Sequence, residues 1–205
     1  GRSRCGNLRE FCHRPAARRE RASYTAGMKL RPHPSFPSAD VRDITAQVRV
    51  RDGVRLDLVY RLKGDISRLA VPALAQPIRA DDLWQQTCFE LFVTDAEGTG
   101  YAEFNFSPST AWAAYRFTGY REGMQPLPLA HAPRIECEAR AQHLDLHVSL
   151  AVPAAIATVV PVMRRLAISA VVQDHAGAMS YWALVHHADK PDFHHRDAVA
   201  YALEF

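Results

Sequence analysis

The sequence lacks the apolar runs and the cysteine pattern that identify a membrane protein or a disulfide scaffold. No stretch approaches the roughly 18 apolar residues that a membrane-spanning helix needs. No apolar segment follows the N-terminal arginines, as it would in a secretory signal. Only four cysteines occur in 205 residues, with no C-x-x-C pair. These absences argue against a transmembrane helix and a disulfide framework, and we predict a reducing, cytoplasmic location.

Short motifs that mark common enzyme classes are also missing. The chain contains no nucleophile elbow, no glycine-rich phosphate loop and no H-E-x-x-H pair. No cofactor is predicted from the sequence. We therefore favour a non-catalytic protein, although the absence of these signatures leaves an enzymatic function open.

Charge is distributed unevenly along the chain. Residues 1–27 hold seven arginines and two glutamates, whereas the remaining sequence holds 18 basic and 20 acidic residues. The basic segment has no apolar periodicity, and Met28 after it is a plausible second start. We interpret residues 1–27 as an extended or disordered basic leader and residues 28–205 as one folded domain. A nucleic-acid-binding arm is the disfavoured alternative for the leader.

Alternation of apolar and polar residues dominates the rest of the chain. Two alternating runs, 44–51 and 54–62, flank the turn dipeptide Asp52-Gly53 and predict a β-hairpin. Further strand-like runs are 88–95, 101–107, 111–120, 134–141, 143–152, 166–174 and 180–187. No helical pattern of comparable weight occurs. The pattern predicts an all-β fold, an antiparallel β-sandwich of jelly-roll or immunoglobulin-like type.

Three neighbouring runs bring polar side chains to one predicted sheet face. If residues 88–93, 101–106 and 112–118 form a meander, that face holds Glu90, Glu103, Asn105, Trp112 and Arg116. Carboxylate, amide and indole groups are typical of sugar sites, so we interpret the face as a ligand-binding surface. Two alternatives stay open, an ordinary solvent-exposed face and a general acid–base pair of two glutamates.

Three longer segments carry a family resemblance. They are "LWQQTCFELFV" (83–93), "YAEFNFSPSTAWAAYRFTGYREGM" (101–124) and "SYWALVHHADKPDFHH" (180–195). In order and spacing they resemble the bacterial DOMON-like proteins, which are related to DOMON domains and, more distantly, to family 9 carbohydrate-binding modules. The resemblance implies a β-sandwich whose relatives bind haem or sugars in a pocket on one sheet. It does not extend to His187 and Asp189, where the family pattern has proline and glycine.

The segment "HHADKPDFHH", residues 186–195, concentrates four histidines near the end of the chain. Adjacent histidines on a strand point to opposite faces, which disfavours one ion shared by all four. His186, Asp192 and His194 are the candidates for a divalent metal site. Haem is a further alternative, although no methionine–histidine pair stands out. Structural anchoring of the loop is the first interpretation, and a ligand pocket wall that also includes Lys190 is the second.

Aromatic and basic residues complete the candidate site. Trp84, Trp112 and Trp182 are the side chains on which a ring could stack, and Trp182 is expected beside the histidine loop. The groups that could grip a carboxylate or phosphate are Arg116, Tyr120 and Arg121. A solvated strand edge guarded by charge is the alternative for these residues.

We predict that the chain is a non-catalytic domain that binds a small organic ligand. A carbohydrate or glycan-derived compound is the first candidate, with no membrane partner and no nucleic acid. The alternative is a haem- or metal-binding redox protein or enzyme that uses residues 186–195. A third hypothesis is an interaction module with a flat apolar patch and no deep pocket.

Overall fold

The protein is built almost entirely from short β-strands. A computed structural model describes residues 27–51, 55–94, 100–151, 153, 164–187, 189–198 and 201–203. The strands are β1 Met28–Pro32, β2 Val41–Arg51, β3 Arg55–Gly64, β4 Cys88–Thr94, β5 Tyr101–Phe106, β6 Trp112–Phe117, β7 Gln125–Pro126, β8 Arg134–Arg140, β9 His143–Ala151, β10 Arg164–Gln173, β11 Met179–Ala183 and β12 Tyr201–Leu203. Single 3-10 turns occupy Ile66–Arg68, Leu83–Gln85 and Arg196–Ala198. Within the described ranges, no helix is long and apolar enough to span a bilayer.

The strands form one continuous antiparallel system. Their hydrogen-bonded order is β7-β6-β5-β4-β10-β11-β1-β2-β3-β9-β8, and β12 pairs with β10 off this path. Strand β1 joins the two halves, because residues 28–30 pair with β2 whereas residues 31–32 pair with β11. The predicted all-β, antiparallel architecture is confirmed.

The first hairpin forms as its alternation predicts. Strands β2 and β3 pair in register from Ile44 opposite Leu62 to Arg51 opposite Arg55. Alternate positions such as Leu58 are fully buried, which confirms the inward face. The turn dipeptide Asp52-Gly53 lies outside the described residues, as does the basic leader up to residue 26.

An apolar core lies between the two halves of the strand system. Tyr60 of β3 donates a hydrogen bond from its hydroxyl to the backbone carbonyl of Glu90 in β4, at 2.9 Å. The ring of Tyr60 lies 5.1 Å from that of Phe89, centroid to centroid. Both side chains are fully buried, as are Phe104 and Phe106. Each such side chain stabilises the fold by about 1.5–3 kcal/mol relative to solvent exposure.

Close packing at the end of β3 requires glycine. A Cβ added to Gly64 would lie 2.2 Å from the carbonyl oxygen of Asp40 and 3.1 Å from the Cα of Val41. We expect Gly64→Ala to lower the free energy of unfolding by about 1–3 kcal/mol, since backbone atoms must shift. Urea denaturation measures this effect. Gly27→Ala is the control, because its added Cβ meets nothing within 4 Å, and equal midpoints for the two variants would contradict the prediction.

Strand β4 is buried on both faces, and its outer face is where the candidate site lies. Six of its seven residues are buried, including Phe92 on the side away from the main core. Phe92 packs there with Ala167 of β10 and with Ala198, while Tyr101 and Phe193 border the cluster. The C-terminal segment therefore covers part of the outer face of β4, and a cavity lies over the rest of that face.

Candidate functional site

The predicted meander of β4, β5 and β6 is confirmed by its register. Glu90 pairs with Asn105, and Glu103 pairs with Phe92 on one side and Tyr115 on the other. Residues paired directly across strands point to the same face of a sheet. The two glutamates and the asparagine therefore share one face, as predicted.

Two of the residues predicted for that face lie on the opposite one. Trp112 pairs with Phe106 and Arg116 pairs with Ala102, and both partners face the main core. Trp112 packs against that core, whereas Arg116 is exposed and donates a hydrogen bond to Gln125 Oε1 at 2.6 Å. The prediction is wrong for these two residues because alternation within a strand does not specify register between strands, and a one-residue shift exchanges the faces.

A cavity of about 830 Å³ opens above the shared face. Its volume lies in the range of roughly 300–1,000 Å³ that is typical of small-molecule sites. Glu90 and Glu103 lie at its floor. Its walls are largely aromatic and comprise Phe36, Trp84, Tyr115, Phe117, Tyr181 and Phe193.

The two floor glutamates are a buried, interacting pair. Glu90 is 3% and Glu103 is 6% exposed. Ser169 donates its hydroxyl to Glu90 Oε2 at 3.0 Å, and Asn105 donates its amide to Glu103 Oε1 at 2.7 Å. Burial raises the pKa of Glu90 to about 8, and the nearby Glu103 acts in the same direction. Burial also raises the pKa of Glu103, against the hydrogen bond from Asn105. The pair therefore retains a proton at neutral pH.

His194 lies beside this pair as a neutral imidazole. Its Nδ1 is 2.7 Å from the Tyr101 hydroxyl, and its ring meets Phe117 edge-on at a centroid distance of 5.3 Å. Burial, and then the charge of Arg121, lower the pKa of His194 to about 4. The contact of 3.8 Å between His194 Nε2 and Glu103 Oε2 is therefore not an ion pair at neutral pH.

Asp192 ties together two loops that border the cavity. It accepts hydrogen bonds from the Tyr120 hydroxyl, from Arg121 Nη2 at 2.9 Å and from the backbone N–H of His194 at 3.1 Å. Burial acts to raise the pKa of Asp192, but the bonds from Tyr120 and Arg121 outweigh it and lower that pKa. Asp192 is therefore ionised, and it holds the 120–121 turn against the 192–194 segment.

A second group of polar contacts forms at the rim of the cavity. The Tyr115 hydroxyl donates to Asp81 Oδ1 at 2.6 Å. The Arg79 guanidinium lies 5.4 Å from the centre of the Tyr115 ring and 3.9 Å from Asp81. Asp82, the next residue, also lines the cavity. Burial, followed by the neighbouring Asp81, raises the pKa of Tyr115, so that its hydroxyl stays protonated.

The proposed metal-binding set is not assembled. The imidazole of His186 contacts the carbonyl oxygen of Arg31 through Nε2 at 2.8 Å, whereas Asp192 and His194 are bound in the network above. Across the part of the chain that the structure describes, no three His, Cys, Asp or Glu side chains form a group that could hold a metal ion. The prediction that His186, Asp192 and His194 converge on a metal is wrong, and each of them is engaged with other partners instead.

Comparisons with known proteins identify a fold and no family. No protein-family model matches the chain, and no curated protein matches it in sequence. The fold is similar to that of a candidate carbohydrate-binding protein from Bacteroides uniformis ATCC 8492, with a TM-score of 0.68 and 12% identity over 90% of this chain and 86% of that chain. At this identity, the similarity shows a shared fold alone.

Two structures of a family 9 carbohydrate-binding module from Caldicellulosiruptor kristjanssonii are more distant matches. The complex with cellotriose has a TM-score of 0.43 and 11% identity over 78% of this chain and 72% of that chain. The complex with glucose has a TM-score of 0.41 and 9% identity over 77% of this chain and 74% of that chain. Scores this low carry no argument about the present protein.

The three tryptophans have different environments. Trp182 is 3% exposed, pairs with Ala170 on the core face of β10 and donates its indole N–H to Ser180 Oγ at 3.1 Å. It therefore belongs to the core and does not line the cavity, and its predicted position beside the histidine loop stays a prediction. Trp84 is 50% exposed and lines the cavity, so it is the stacking candidate that the structure retains.

The remaining predicted ligand-binding residues divide into three groups. Those that line the cavity are Glu90, Glu103, Arg121, Lys190 and His194. Those that hold a lining residue by a hydrogen bond are Asn105 and Asp192, and Tyr120 in turn donates to Asp192. Those absent from the lining are Trp112, Arg116, Trp182 and His186. Contact of any of them with a ligand stays a prediction.

Several lining residues were not predicted from the sequence. Tyr115 and Phe117 carried a usable signal, because they alternate with Trp112 and the correct register would have selected them. Phe36, Asp81 and Phe193 lie in loops, where no periodicity indicates the direction of a side chain.

Proposed function

We propose that this protein is a non-catalytic, DOMON-like β-sandwich domain that binds a small carbohydrate or glycan-derived ligand. The observation that carries the proposal is the cavity of about 830 Å³, in which aromatic walls surround buried hydrogen-bonding groups. The sandwich assignment is supported by the contact of Tyr60 with Phe89 across the core and by the position of β1 in both halves.

The aromatic walls suit the faces of sugar rings. Tyr115 projects from β6 and Tyr181 from β11, and these strands lie four positions apart in the sheet order. At about 4.8 Å per strand, this spacing separates the two walls by roughly 19 Å. Phe36 and Phe193 pack on Tyr181, with ring centroids 5.1 and 6.2 Å away. A ligand of one to a few rings therefore fits between two apolar surfaces.

The polar groups suit hydroxyls. Protonated Glu90 offers a donor and an acceptor, and the amide-bound Glu103 offers acceptors. Arg121 and Lys190 also line the cavity and add donors. A few convergent polar groups in a mostly apolar pocket supply orientation and specificity. The shared fold with the candidate carbohydrate-binding protein from Bacteroides uniformis is consistent with this ligand class.

Trp84→Ala tests the site directly. We expect the affinity for a sugar selected on a glycan array to fall at least about tenfold, or ~1.4 kcal/mol, when measured by titration calorimetry. Unfolding in urea should change little, because half of the Trp84 side chain is exposed. Leu74→Ala is the control, since Leu74 is 69% exposed and absent from the cavity lining. Wild-type affinity in folded Trp84→Ala would place the site elsewhere.

The absorption spectrum of the same preparation tests the alternative function. A Soret band that accompanies the purified protein would replace the carbohydrate proposal with haem binding. Such a band, together with the absence of saturable sugar binding, would decide in favour of haem binding.

A further inference from the structure

We propose that the ligand carries a protonated amine, which is received by Glu90 and Glu103 at the floor of the cavity. The inference rests on the proposed carbohydrate function and specifies its ligand as an amino sugar. Four observations support it: the surplus of acceptors at the floor, the charges around the cavity, the exposed aromatic wall and the proton held by the glutamates.

The floor has more hydrogen-bond acceptors than donors. Asn105 is 1% exposed, and its amide nitrogen is engaged with Glu103. In the described part of the chain, no donor reaches Asn105 Oδ1, so the residue that supports Glu103 also has an unused acceptor, although it does not itself line the cavity. The Ser169 hydroxyl is already engaged with Glu90. An ammonium group has three donors and no acceptor, whereas a hydroxyl has one donor. The ammonium therefore matches a floor of carboxyl oxygens better than a hydroxyl does.

The charges around the cavity also favour a cation. Four acidic residues line it, Asp81, Asp82, Glu90 and Glu103, against two basic residues, Arg121 and Lys190, so the lining is net acidic even with one proton held by the glutamate pair. Arg121 is bound to Asp192 at 2.9 Å, so part of its charge is compensated. A buried carboxylate without a bound cation is costly, and an ammonium placed beside it offsets that cost.

The aromatic wall adds a second kind of attraction for a cation. Ring faces of tryptophan and phenylalanine attract ammonium groups within about 6 Å. Trp84 is half exposed at the cavity, and Phe117 also lines it. The ring of Tyr115 already has the Arg79 guanidinium 5.4 Å from its centre, which shows that this wall accepts positive charge.

A bound ammonium should displace the proton that the glutamates retain. The carboxyl group of Glu90 would ionise, its proton would pass to the solvent, and the amine would keep its own. The titratable and charged groups that act on the pair or face it are Tyr60, Cys88, Tyr101, Tyr115, Arg121 and His194. The phenols and the thiol stay protonated, because their pKa values are raised, and His194 stays neutral. The released proton therefore comes from the glutamate pair.

A comparison of three β-1,4-linked trisaccharides measures the contribution of the amine to the affinity. The glucosamine trimer carries ammonium groups, the N-acetylglucosamine trimer carries amides and cellotriose carries hydroxyls at the same ring positions. Titration calorimetry at about pH 6.5 should show at least about tenfold tighter binding of the glucosamine trimer. In buffers of different ionisation enthalpy, its binding should release up to about one proton per protein, and cellotriose should release none.

Matched variants locate the effect. Glu103→Gln should abolish the preference for the glucosamine trimer, since it removes one carboxyl group without changing the shape of the side chain. Glu138→Gln is the control, because Glu138 lies on β8, is 68% exposed and pairs with Arg140. A preference retained in Glu103→Gln, or lost in Glu138→Gln, would overturn the proposed position of the amine.

The ligand comparison separates this inference from the proposed function. Equal or tighter binding of cellotriose or the N-acetylglucosamine trimer would overturn the amine and leave the carbohydrate site standing. Failure of all three trisaccharides to bind at millimolar concentration would overturn the amine inference, whereas the carbohydrate proposal is overturned only if no sugar on the glycan array binds. Amine-selective binding without proton release would overturn the direct contact with the glutamate pair.

Discussion

Glu90→Gln is expected to raise the free energy of unfolding, relative to that of the wild-type protein, by roughly 3 kcal/mol more at pH 8 than at pH 5. The pKa of Glu90 is about 8 in the folded protein, above its ordinary value of 4.5. The folded state therefore holds a proton that the unfolded state releases, so this stability is present below about pH 4.5 and is lost as the pH rises toward 8. A glutamine at this position does not titrate, so it adds no such dependence of stability on pH. At 2–4 °C per kcal/mol, the difference corresponds to about 6–12 °C in Tm.

His194 acts in the opposite direction and shapes the profile of the wild-type protein. Its pKa of about 4 lies below the ordinary 6.5, so the stability it contributes is present above pH 6.5 and is lost as the pH falls toward 4. The two contributions nearly cancel between about pH 4.5 and 6.5, so together they predict a broad plateau there and a decline above pH 6.5 for the wild-type protein. In Glu90→Gln, the decline between pH 6.5 and 8 should disappear, and a decline below pH 6.5 should appear because the contribution of His194 is no longer offset.

Thermal unfolding from pH 5 to 8 measures both effects. Glu138→Gln is again the matched control, because its carboxyl group is 68% exposed, and its profile should follow that of the wild-type protein. Parallel profiles for wild type and Glu90→Gln between pH 6.5 and 8 would refute the buried, proton-retaining glutamate pair.

Trp182→Ala is expected to lower the free energy of unfolding by about 3–5 kcal/mol. The side chain is 3% exposed within the main core, and its indole N–H is hydrogen-bonded to Ser180. Truncation would therefore leave a cavity and remove the donor from which Ser180 Oγ accepts a hydrogen bond. Trp84→Ala removes the same side chain from the cavity wall and should change stability by less than about 0.5 kcal/mol.

Only one of the two tryptophan variants should weaken sugar binding. Trp182 lies on the core face of its strand, away from the cavity. Folded Trp182→Ala should therefore retain its affinity for sugar, whereas Trp84→Ala loses it. Urea denaturation and titration calorimetry on the same preparations give both quantities. Weakened binding in Trp182→Ala with an unchanged urea midpoint would mean that its assignment to the core is wrong.

Local sequence patterns were sufficient for the strands and their hairpin. Residues 44–62 alternate so regularly that only one face can be buried, and the pairing of β2 with β3 follows. The meander of β4, β5 and β6 could also be predicted, because short links join consecutive strands. Register within the meander could not, and this is why Trp112 and Arg116 were assigned to the wrong face.

The candidate site was predicted only in part. Glu90, Glu103 and Asn105 lie in regular strands, where period-two alternation limits each side chain to two directions. Phe36, Trp84 and Phe193 come from segments far apart in the chain, and each was brought to the cavity by packing over the outer face of the sheet. No local sequence pattern predicts that these three side chains line the same cavity.

Sequence alone established that the chain is an antiparallel β protein and that acidic and amide groups occupy one strand face. It could do so because side-chain direction in a strand depends on the strand itself. Only tertiary structure decided that loops enclose that face in an aromatic cavity, that the glutamates there retain a proton and that Trp182 belongs to the core. Those properties depend on register and on loops from distant parts of the chain, since burial and pKa arise from neighbours that folding supplies.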